Sequence, residues 1–362
     1  MRAVTTSEFL AEWNDGAERL LVHTSGSTGE PKPLWVEKRR MELSARVTCQ
    51  FLGLKEGDTA LLCMPLDYIA GKMMVVRAVA CGLRLLSVHP SGHPLADLGS
   101  QCTVYSFAKS EVHTDHSPSL HIDFAAMVPM QVYNSLHVPE ERERLRQIGQ
   151  LIIGGGAISD ALAAELHDFP NPVWSTYGMT ETLSHIALRR INGPEASEWY
   201  TPINACAVTA GAGLCSSVTP PDYISLSLNA DGCLVIDAPL LCPQVLTTND
   251  IAELRPDGRF RIVGRRDNVV CSGGIKIQIE EVERLLAPNL SAPFVVTKRP
   301  DDKLGEALVL LTESTDTAGV LDLCRKVLPR HWHPRRCLHV DHIPLTGTGK
   351  PARREAEKMA AM

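Results

Sequence analysis

None of the eleven cysteines forms a CxxC pair, so the usual zinc-knuckle and dithiol signatures are missing. Cys63, Cys81 and Cys233 stand inside apolar runs, which reads as buried free thiols in a reducing compartment. The chain has no basic tract and carries a net charge of −6, which argues against a nucleic-acid partner. Its start, Met1-Arg2-Ala3-Val4-Thr5-Thr6-Ser7-Glu8, lacks the apolar run of a signal peptide. No later stretch stays apolar long enough to span a bilayer, so the expectation is a cytoplasmic protein. Internal repeats and low-complexity tracts are also missing. So is a Walker loop: Lys32 lies between Pro31 and Pro33, where that motif needs a glycine before the lysine and Ser or Thr after it.

What is present begins at Thr24-Ser25-Gly26-Ser27-Thr28-Gly29-Glu30-Pro31-Lys32, one residue beyond the apolar Leu21-Val22. This reads as a strand end turning into a polar, mobile hairpin loop. Its glycines let backbone N–H groups approach an anion, and its hydroxyls and lysine add donors for phosphate.

At 362 residues the chain should divide into a large and a smaller domain. Thr6 to Trp13 reads as a capped lead-in helix, and Glu42 to Leu52 as a helix with Gly53 near its end. Asp58 to Pro65 gives a short buried strand, Ile69 to Ala80 an apolar helix, and Leu83 to Val88 the next strand. Ile122 to Val132 and Leu145 to Ile153 continue the alternation, which indicates parallel sheets covered by helices. From about Pro202 the texture changes to short strands at Tyr223–Leu228, Cys233–Ile236 and Phe260–Val263, separated by Asp-Gly turns. The fold class expected is therefore α/β, a large domain of helix-covered sheets plus a small β-rich subdomain over residues 1–263. A small α+β unit over residues 264–362 follows as a separate lid.

Four more constellations bear on chemistry. Leu151-Ile152-Ile153 runs into Gly154-Gly155-Gly156, a tight strand exit. Ser175-Thr176-Tyr177-Gly178-Met179-Thr180-Glu181-Thr182 offers a ring to stack a nucleobase, a hydroxyl for phosphate and a carboxylate for a divalent cation. Thr247-Thr248-Asn249-Asp250 and Gly264-Arg265-Arg266-Asp267 supply a carboxylate and an arginine suited to ribose hydroxyls. Pro344-Leu345-Thr346-Gly347-Thr348-Gly349-Lys350-Pro351 presents one lysine from a polar loop. His331, His333, His339 and His342 lack a carboxylate or cysteine to complete a metal set.

In this order the five motifs resemble the adenylate-forming superfamily of acyl-CoA ligases, adenylation domains and luciferases, over residues 21–352. Met127-Val128-Pro129-Met130-Gln131, the three glycines and Thr176 to His185 look most like its o-succinylbenzoate–CoA ligase branch in menaquinone synthesis. The resemblance implies an ATP-dependent acid–CoA ligase that uses ATP, Mg2+ and coenzyme A, with a small carboxylic acid as substrate. It places the β- and γ-phosphates on Thr24 to Lys32, the adenine against Gly154–Gly156 and Tyr177, and the ribose on Asp250 and Arg265. Magnesium goes to Glu181, and the charge developing at the α-phosphate to Lys350 and Thr180. Asp267 is the implied hinge, and Gly273-Gly274 line the implied CoA path.

A second substrate carboxylate would need a cation, and Lys72 and Arg77 stand out on an otherwise apolar helix, though both also suit snorkelling to the surface. Arg77 matches an arginine of the ligase family, with Tyr68 and Ser184 as further pocket candidates and Arg189 a weaker one. The chain departs from the family in two places. The loop begins at residue 24, where typical members carry a large preceding segment, so one wall of the large domain needs another source, a homo-oligomer among them. Asn249 replaces a usual glycine, and asparagine tolerates the same unusual backbone. Other readings stay open: another aryl or fatty acyl-CoA ligase, a carrier-loading adenylation enzyme, or a non-catalytic, partner-dependent nucleotide-binding protein.

Overall fold

In the computed structural model the described residues are 4–23, 33–96, 98, 102–108, 121–203, 224–346 and 350–361. The lead-in helix α1 (Thr6–Trp13) is fixed by a capping box: the Glu8 amide donates to Thr5 Oγ1 and the Thr5 amide to Glu8 Oε2. A two-stranded hairpin follows, β1 (Arg19–His23) against β2 (Pro33–Glu37), with Leu20 and Val22 buried on one face. The residues expected to form a phosphate loop, Thr24, Ser25, Gly26, Ser27, Thr28, Gly29 and Lys32, all on the connection between these strands, lie outside the described residues.

Helix α2 (Lys38–Phe51) starts before the expected Glu42, because Lys38 to Arg40 carry no breaker and Met41 already faces the core. The next elements are β3 (Thr59–Leu62), α3 (Ile69–Cys81), β4 (Arg84–Ser87), β5 (Thr103–Ser106) and β6 (Phe124–Met127). They lead through α4 (Pro129–Leu136) and α5 (Pro139–Gln147) to β7 (Gln150–Ile153), α6 (Asp160–Leu166), β8 (Val173–Gly178), β9 (His185–Arg190) and β10 (Thr201–Pro202). The strands form one eight-stranded sheet in the order β10-β9-β8-β7-β6-β3-β4-β5. Its centre, from β4 to β8, is parallel; β5, β9 and β10 pair antiparallel at the edges, so the sheet is mixed. Every residue of β3 and β6 is buried, as expected of strands covered on both faces. The three glycines thus leave a central strand at its C-terminal end, where open α/β sheets bind ligands.

A second sheet joins β11 (Ser225–Leu228), β12 (Cys233–Asp237), β13 (Leu246–Leu254) and β14 (Phe260–Arg265) in sequence order. The expected strand start at Tyr223 lies outside the described residues. Strand β13 carries Thr247 to Asp250, and its register shifts at Ile251/Ala252. Asn249 there has no left-handed backbone, since Leu183 alone among the described non-glycine residues has a positive φ. The asparagine therefore serves another purpose, and its Nδ2 donates to Asp267 Oδ2 at 3.3 Å.

The junction drawn between 263 and 264 falls inside β14, and a new core begins after the turn at Arg266–Asn268. Strands β15 (Val269–Ser272) and β16 (Ile275–Gln278) form a hairpin whose turn is Gly273-Gly274, both with positive φ (59° and 82°). Such a turn needs left-handed residues at both positions, which favours glycine. Helix α7 (Ile279–Leu286), β17 (Phe294–Asp301), β18 (Gly305–Thr312), α8 (Thr317–Val327) and β19 (Arg336–His339) complete the unit with α9 (Arg353–Ala361). Two apolar clusters of its own, around Val296 and Leu310 and around Val295 and Leu311, hold this unit together.

Candidate active site

The tyrosine loop is tightly built. A Cβ on Gly178 would sit 2.3 Å from the Ser184 carbonyl oxygen, and one on Gly154 would sit 2.5 Å from Thr176 Oγ1. Backbone thus leaves no room for a side chain at Gly178, and one at Gly154 would force Thr176 Oγ1 to move. Gly155 has φ +77° and turns the chain out of β7. The short 3-10 turn at Thr180–Thr182 is locked by Thr182 Oγ1, which accepts from the Met179 amide (3.0 Å) and lies 2.8 Å from the Ser184 carbonyl. It ends on Leu183 at φ +67°, a conformation that costs a side chain on the order of 1–2 kcal/mol. Strain of that kind collects at functional turns.

Tyr177 forms the floor. Its hydroxyl donates to Asp250 Oδ2 at 2.7 Å, and its ring meets Phe260 at 5.1 Å, edge on. Burial first, then the Asp250 charge, push the phenol far above its usual range, so it stays a donor. Arg265 holds the other oxygen, Oδ1, at 3.4 Å and reaches Asp267 Oδ2 at 3.0 Å. Asp250 is thereby fixed between a phenol and a guanidinium, carried by β8, β13 and β14. Ser175 Oγ pairs with the Tyr200 hydroxyl at 2.8 Å, and Tyr200 stacks on Phe260.

Lys350 arrives from the C-terminal unit. Its backbone is pinned by Lys350 N to Thr346 Oγ1 (3.1 Å) and Thr346 N to the Lys350 carbonyl (2.7 Å), at the base of the loop closed by the Leu345–Pro351 bridge. A Cβ on Gly156 would stand 3.9 Å from Lys350 Cε. Burial, then the neighbouring Arg265, lower the ammonium pKa, and Asp250 opposes them. The glycine turn, Asp250 and the lysine thus meet at one place. Residues 347–349 of that loop lie outside the described residues. Half-buried Glu181, on the same 3-10 turn as buried Thr180, has no ion-pair partner among the described residues, a donor free for a divalent cation.

Arg77 does not snorkel. It is 2% exposed, the largest fully buried side chain among the described residues. Its Nη2 donates to Ser184 Oγ at 2.6 Å, Nη1 faces Met74 Sδ at 3.7 Å, and Nε has no partner. Burial lowers its pKa to about 10, and the nearby Cys49 and Cys81 sulfurs oppose this. Lys72, on the same helix, points elsewhere: its ammonium lies 4.9 Å from the Phe9 ring centroid and 4.0 Å from Glu12 Oε2, against α1. Five residues apart, the two cations occupy different faces of α3. Tyr68 is the N-cap of α3 and is 37% exposed. Arg189 donates to the Ser197 carbonyl and lies over Tyr200, so it is not brought to Arg77. Two residues unassigned by sequence reasoning join the Arg77 group, His185 and Thr48; a histidine heading the buried strand His185-Ile186-Ala187-Leu188 was the available signal.

Among the described residues no group of three His, Cys, Asp or Glu is spaced to hold a metal. His333 and His339 are bonded to the carbonyls of Leu328 and Ser314. No described helix is long and apolar enough to cross a membrane. The described cysteines are free thiols, Cys49, Cys63, Cys233 and Cys324 buried.

Comparison with known proteins identifies the family. Residues 12–208, more than half of the chain, match the AMP-binding enzyme family. The 2-succinylbenzoate–CoA ligase of Bacillus thuringiensis subsp. konkukian is 25% identical over 362 residues, covering 94% of this chain and 69% of that protein. Its namesake from Listeria monocytogenes is 24% identical, covering 97% and 72%. Among solved structures, an acyl-CoA synthetase (AMP-forming)/AMP-acid ligase II-like protein from Dyadobacter fermentans is 32% identical with a TM-score of 0.58, covering 96% and 91%. The o-succinylbenzoate CoA synthetase of Bacillus subtilis, solved with the acyl-adenylate OSB-AMP, is 21% identical with a TM-score of 0.68, covering 93% and 68%, and shares the fold. With its sequence matched over that span and its glycine turn, aspartate and lysine drawn together, the chain belongs to the AMP-binding enzyme family and is an adenylate-forming acid–CoA ligase.

Proposed function

We propose that the acid is o-succinylbenzoate, joined to CoA through an acyl adenylate in menaquinone synthesis. Arg77 is the observation that carries this reading. A buried guanidinium without a carboxylate partner is costly, and the missing counter-charge is the kind a second substrate carboxylate supplies. o-Succinylbenzoate has two carboxylates, one to react and one to be held. The names of the relatives support the same acid.

The chain's own residues divide the work. Asp250, oriented by Tyr177 and Arg265, accepts the ribose hydroxyls, and Gly154 to Gly156 with Tyr177 receive the adenine. The resemblance assigns the β- and γ-phosphates to Thr24–Lys32. Lys350 and Thr180 stabilise the charge that develops as the acid carboxylate attacks the α-phosphorus and pyrophosphate leaves. Glu181 would hold the magnesium ion, which neutralises phosphate charge when bound. In the second half-reaction the CoA thiol attacks the acyl carbon and AMP departs. For that step the C-terminal unit turns about Asp267, and Gly273-Gly274 leave a path for the pantetheine arm. We place the reaction in the cytoplasm, with the acid, ATP and CoA as small-molecule partners.

Turnover with o-succinylbenzoate tests the proposal. Arg77→Ala should raise the KM for that acid by about ten- to a hundredfold, the worth of a charged hydrogen bond or two, with the KM for ATP unchanged. An unchanged KM for the acid, or no turnover of it by the native chain, overturns the reading.

A further inference from the structure

We infer that His185 is a positioning residue for acid recognition: as the neutral Nε2–H tautomer it fixes the Ser184 hydroxyl and, through it, the Arg77 guanidinium. The inference rests on the proposed role of Arg77 toward the second carboxylate.

The direction of every hydrogen bond in the group follows from proton counting. Thr48 Oγ1 lies 3.0 Å from the Ser44 carbonyl oxygen, which can only accept, so the single Thr48 proton is directed there. Toward His185 Nε2, 3.1 Å away, Thr48 must therefore accept, which places the imidazole proton on Nε2. Nδ1 is left as an acceptor, and Ser184 Oγ, 3.3 Å away, donates to it. With its proton so used, Ser184 Oγ offers a lone pair to Arg77 Nη2–H at 2.6 Å. The result is one chain of donors running from Arg77 through Ser184, His185 and Thr48 to Ser44 O.

The chain ties together α2, α3 and the head of β9, and four of its members are enclosed, Thr48 0% exposed, Ser44 2%, Arg77 2% and His185 5%, with Ser184 half-buried between them. An imidazolium would reverse it, because Nδ1–H and Arg77 would then both aim donors at Ser184. Burial, and secondarily the Arg77 charge, hold the imidazole neutral by depressing its pKa well below the usual value. Ser184 is thereby committed as an acceptor toward Arg77. The guanidinium is held at one corner, while its Nε, buried and without a partner, keeps a donor in reserve.

The test compares His185→Leu, which removes both ring nitrogens, with His185→Asn, whose amide oxygen falls near the Nδ1 position and can accept from Ser184. His185→Leu should raise the KM for o-succinylbenzoate about tenfold, the loss of one hydrogen bond in a charged group, with kcat and the KM for ATP within about twofold. His185→Asn should recover most of that loss. Should His185→Leu fail to fold, 15N NMR of histidine-labelled native chain gives an independent reading, expected to show one imidazole with a bare Nδ1 and a protonated Nε2 at neutral pH. An unchanged acid KM in His185→Leu, no recovery in His185→Asn, or a Nδ1–H tautomer overturns the inference. If Arg77→Ala raises the acid KM and His185→Leu does not, only the positioning role falls. If Arg77→Ala leaves it unchanged, the reading beneath it falls as well.

Discussion

In its proposed role Lys350 acts on a developing negative charge only while it is an ammonium, and its surroundings work against that state. Burial and Arg265 lower its pKa from 10.5, with Asp250 as the opposing charge. Adenylation should therefore decline as pH rises through this lowered value, earlier than a solvated lysine would dictate. Lys350→Arg keeps a charge at all accessible pH values, so its slower ATP–pyrophosphate exchange should show no alkaline limb below pH 10. Lys350→Ala should lose about a hundredfold in exchange, on the order of 3 kcal/mol, and still convert supplied acyl adenylate to thioester. Equal loss in both half-reactions would place the lysine elsewhere. The polar loop that presents the lysine was legible in the sequence, and the role proposed for it came from the resemblance alone. Its electrostatic partners were not legible, because Asp250 and Arg265 meet it only through folding. The same holds for His185, whose partner Thr48 belongs to a distant helix and carries no motif.

Elements were read well where the signal is local. Helix α3 and strand β3 follow apolar runs that the sequence alone delimits, whereas Ile122–Val132 divides into β6 and the start of α4, and Leu145–Ile153 into the end of α5 and β7. Strand direction was not legible: β5, β9 and β10 are antiparallel because of how their connections return, which no alternation of apolar residues records. Nor was β13, whose Thr247-Thr248-Asn249-Asp250 reads as a polar loop and is interrupted by a register shift. Helix α9 shows what element placement does for chemistry. Ala356 and Ala360 bury against Val295, Val309 and Leu311, while Arg353 grips both Glu283 oxygens at 2.6 Å and the Val296 carbonyl at 2.8 Å. This clamp stands three residues after Lys350. Arg353→Gln leaves a half-buried carboxylate without its cation and should cost about 2 kcal/mol in a denaturant titration. It should also slow adenylation more than thioester formation, since on the proposed mechanism only the first depends on where Lys350 sits. Equal slowing of both would make the clamp a matter of stability alone.

On the proposed mechanism, one site is served in turn by two surfaces of the C-terminal unit. In the arrangement seen here Lys350 is at the glycine turn, Arg284 lies 3.8 Å from Asp160 on α6, and Arg266 bonds Asp231 at 2.8 Å. These exposed pairs are each worth well under about 1 kcal/mol, weak enough to let the unit turn. The hairpin tip at Gly273-Gly274 points to a different use. A Cβ on Gly274 would meet nothing within 4 Å, so in this arrangement no packing reason excludes a side chain. Its backbone does impose one cost: at φ +82° a non-glycine residue loses roughly 1–2 kcal/mol. Gly274→Leu should therefore stay folded with a modestly lowered Tm and keep ATP–pyrophosphate exchange within about twofold. Thioester formation is another matter, because the turned unit would bring that side chain into the path of the pantetheine arm. A fall of tenfold or more in CoA-dependent turnover, with exchange intact, would mark the hairpin as the second surface. If both half-reactions proceed at native rates, CoA reaches the adenylate by another route; if both fall together, the substitution acts through the fold.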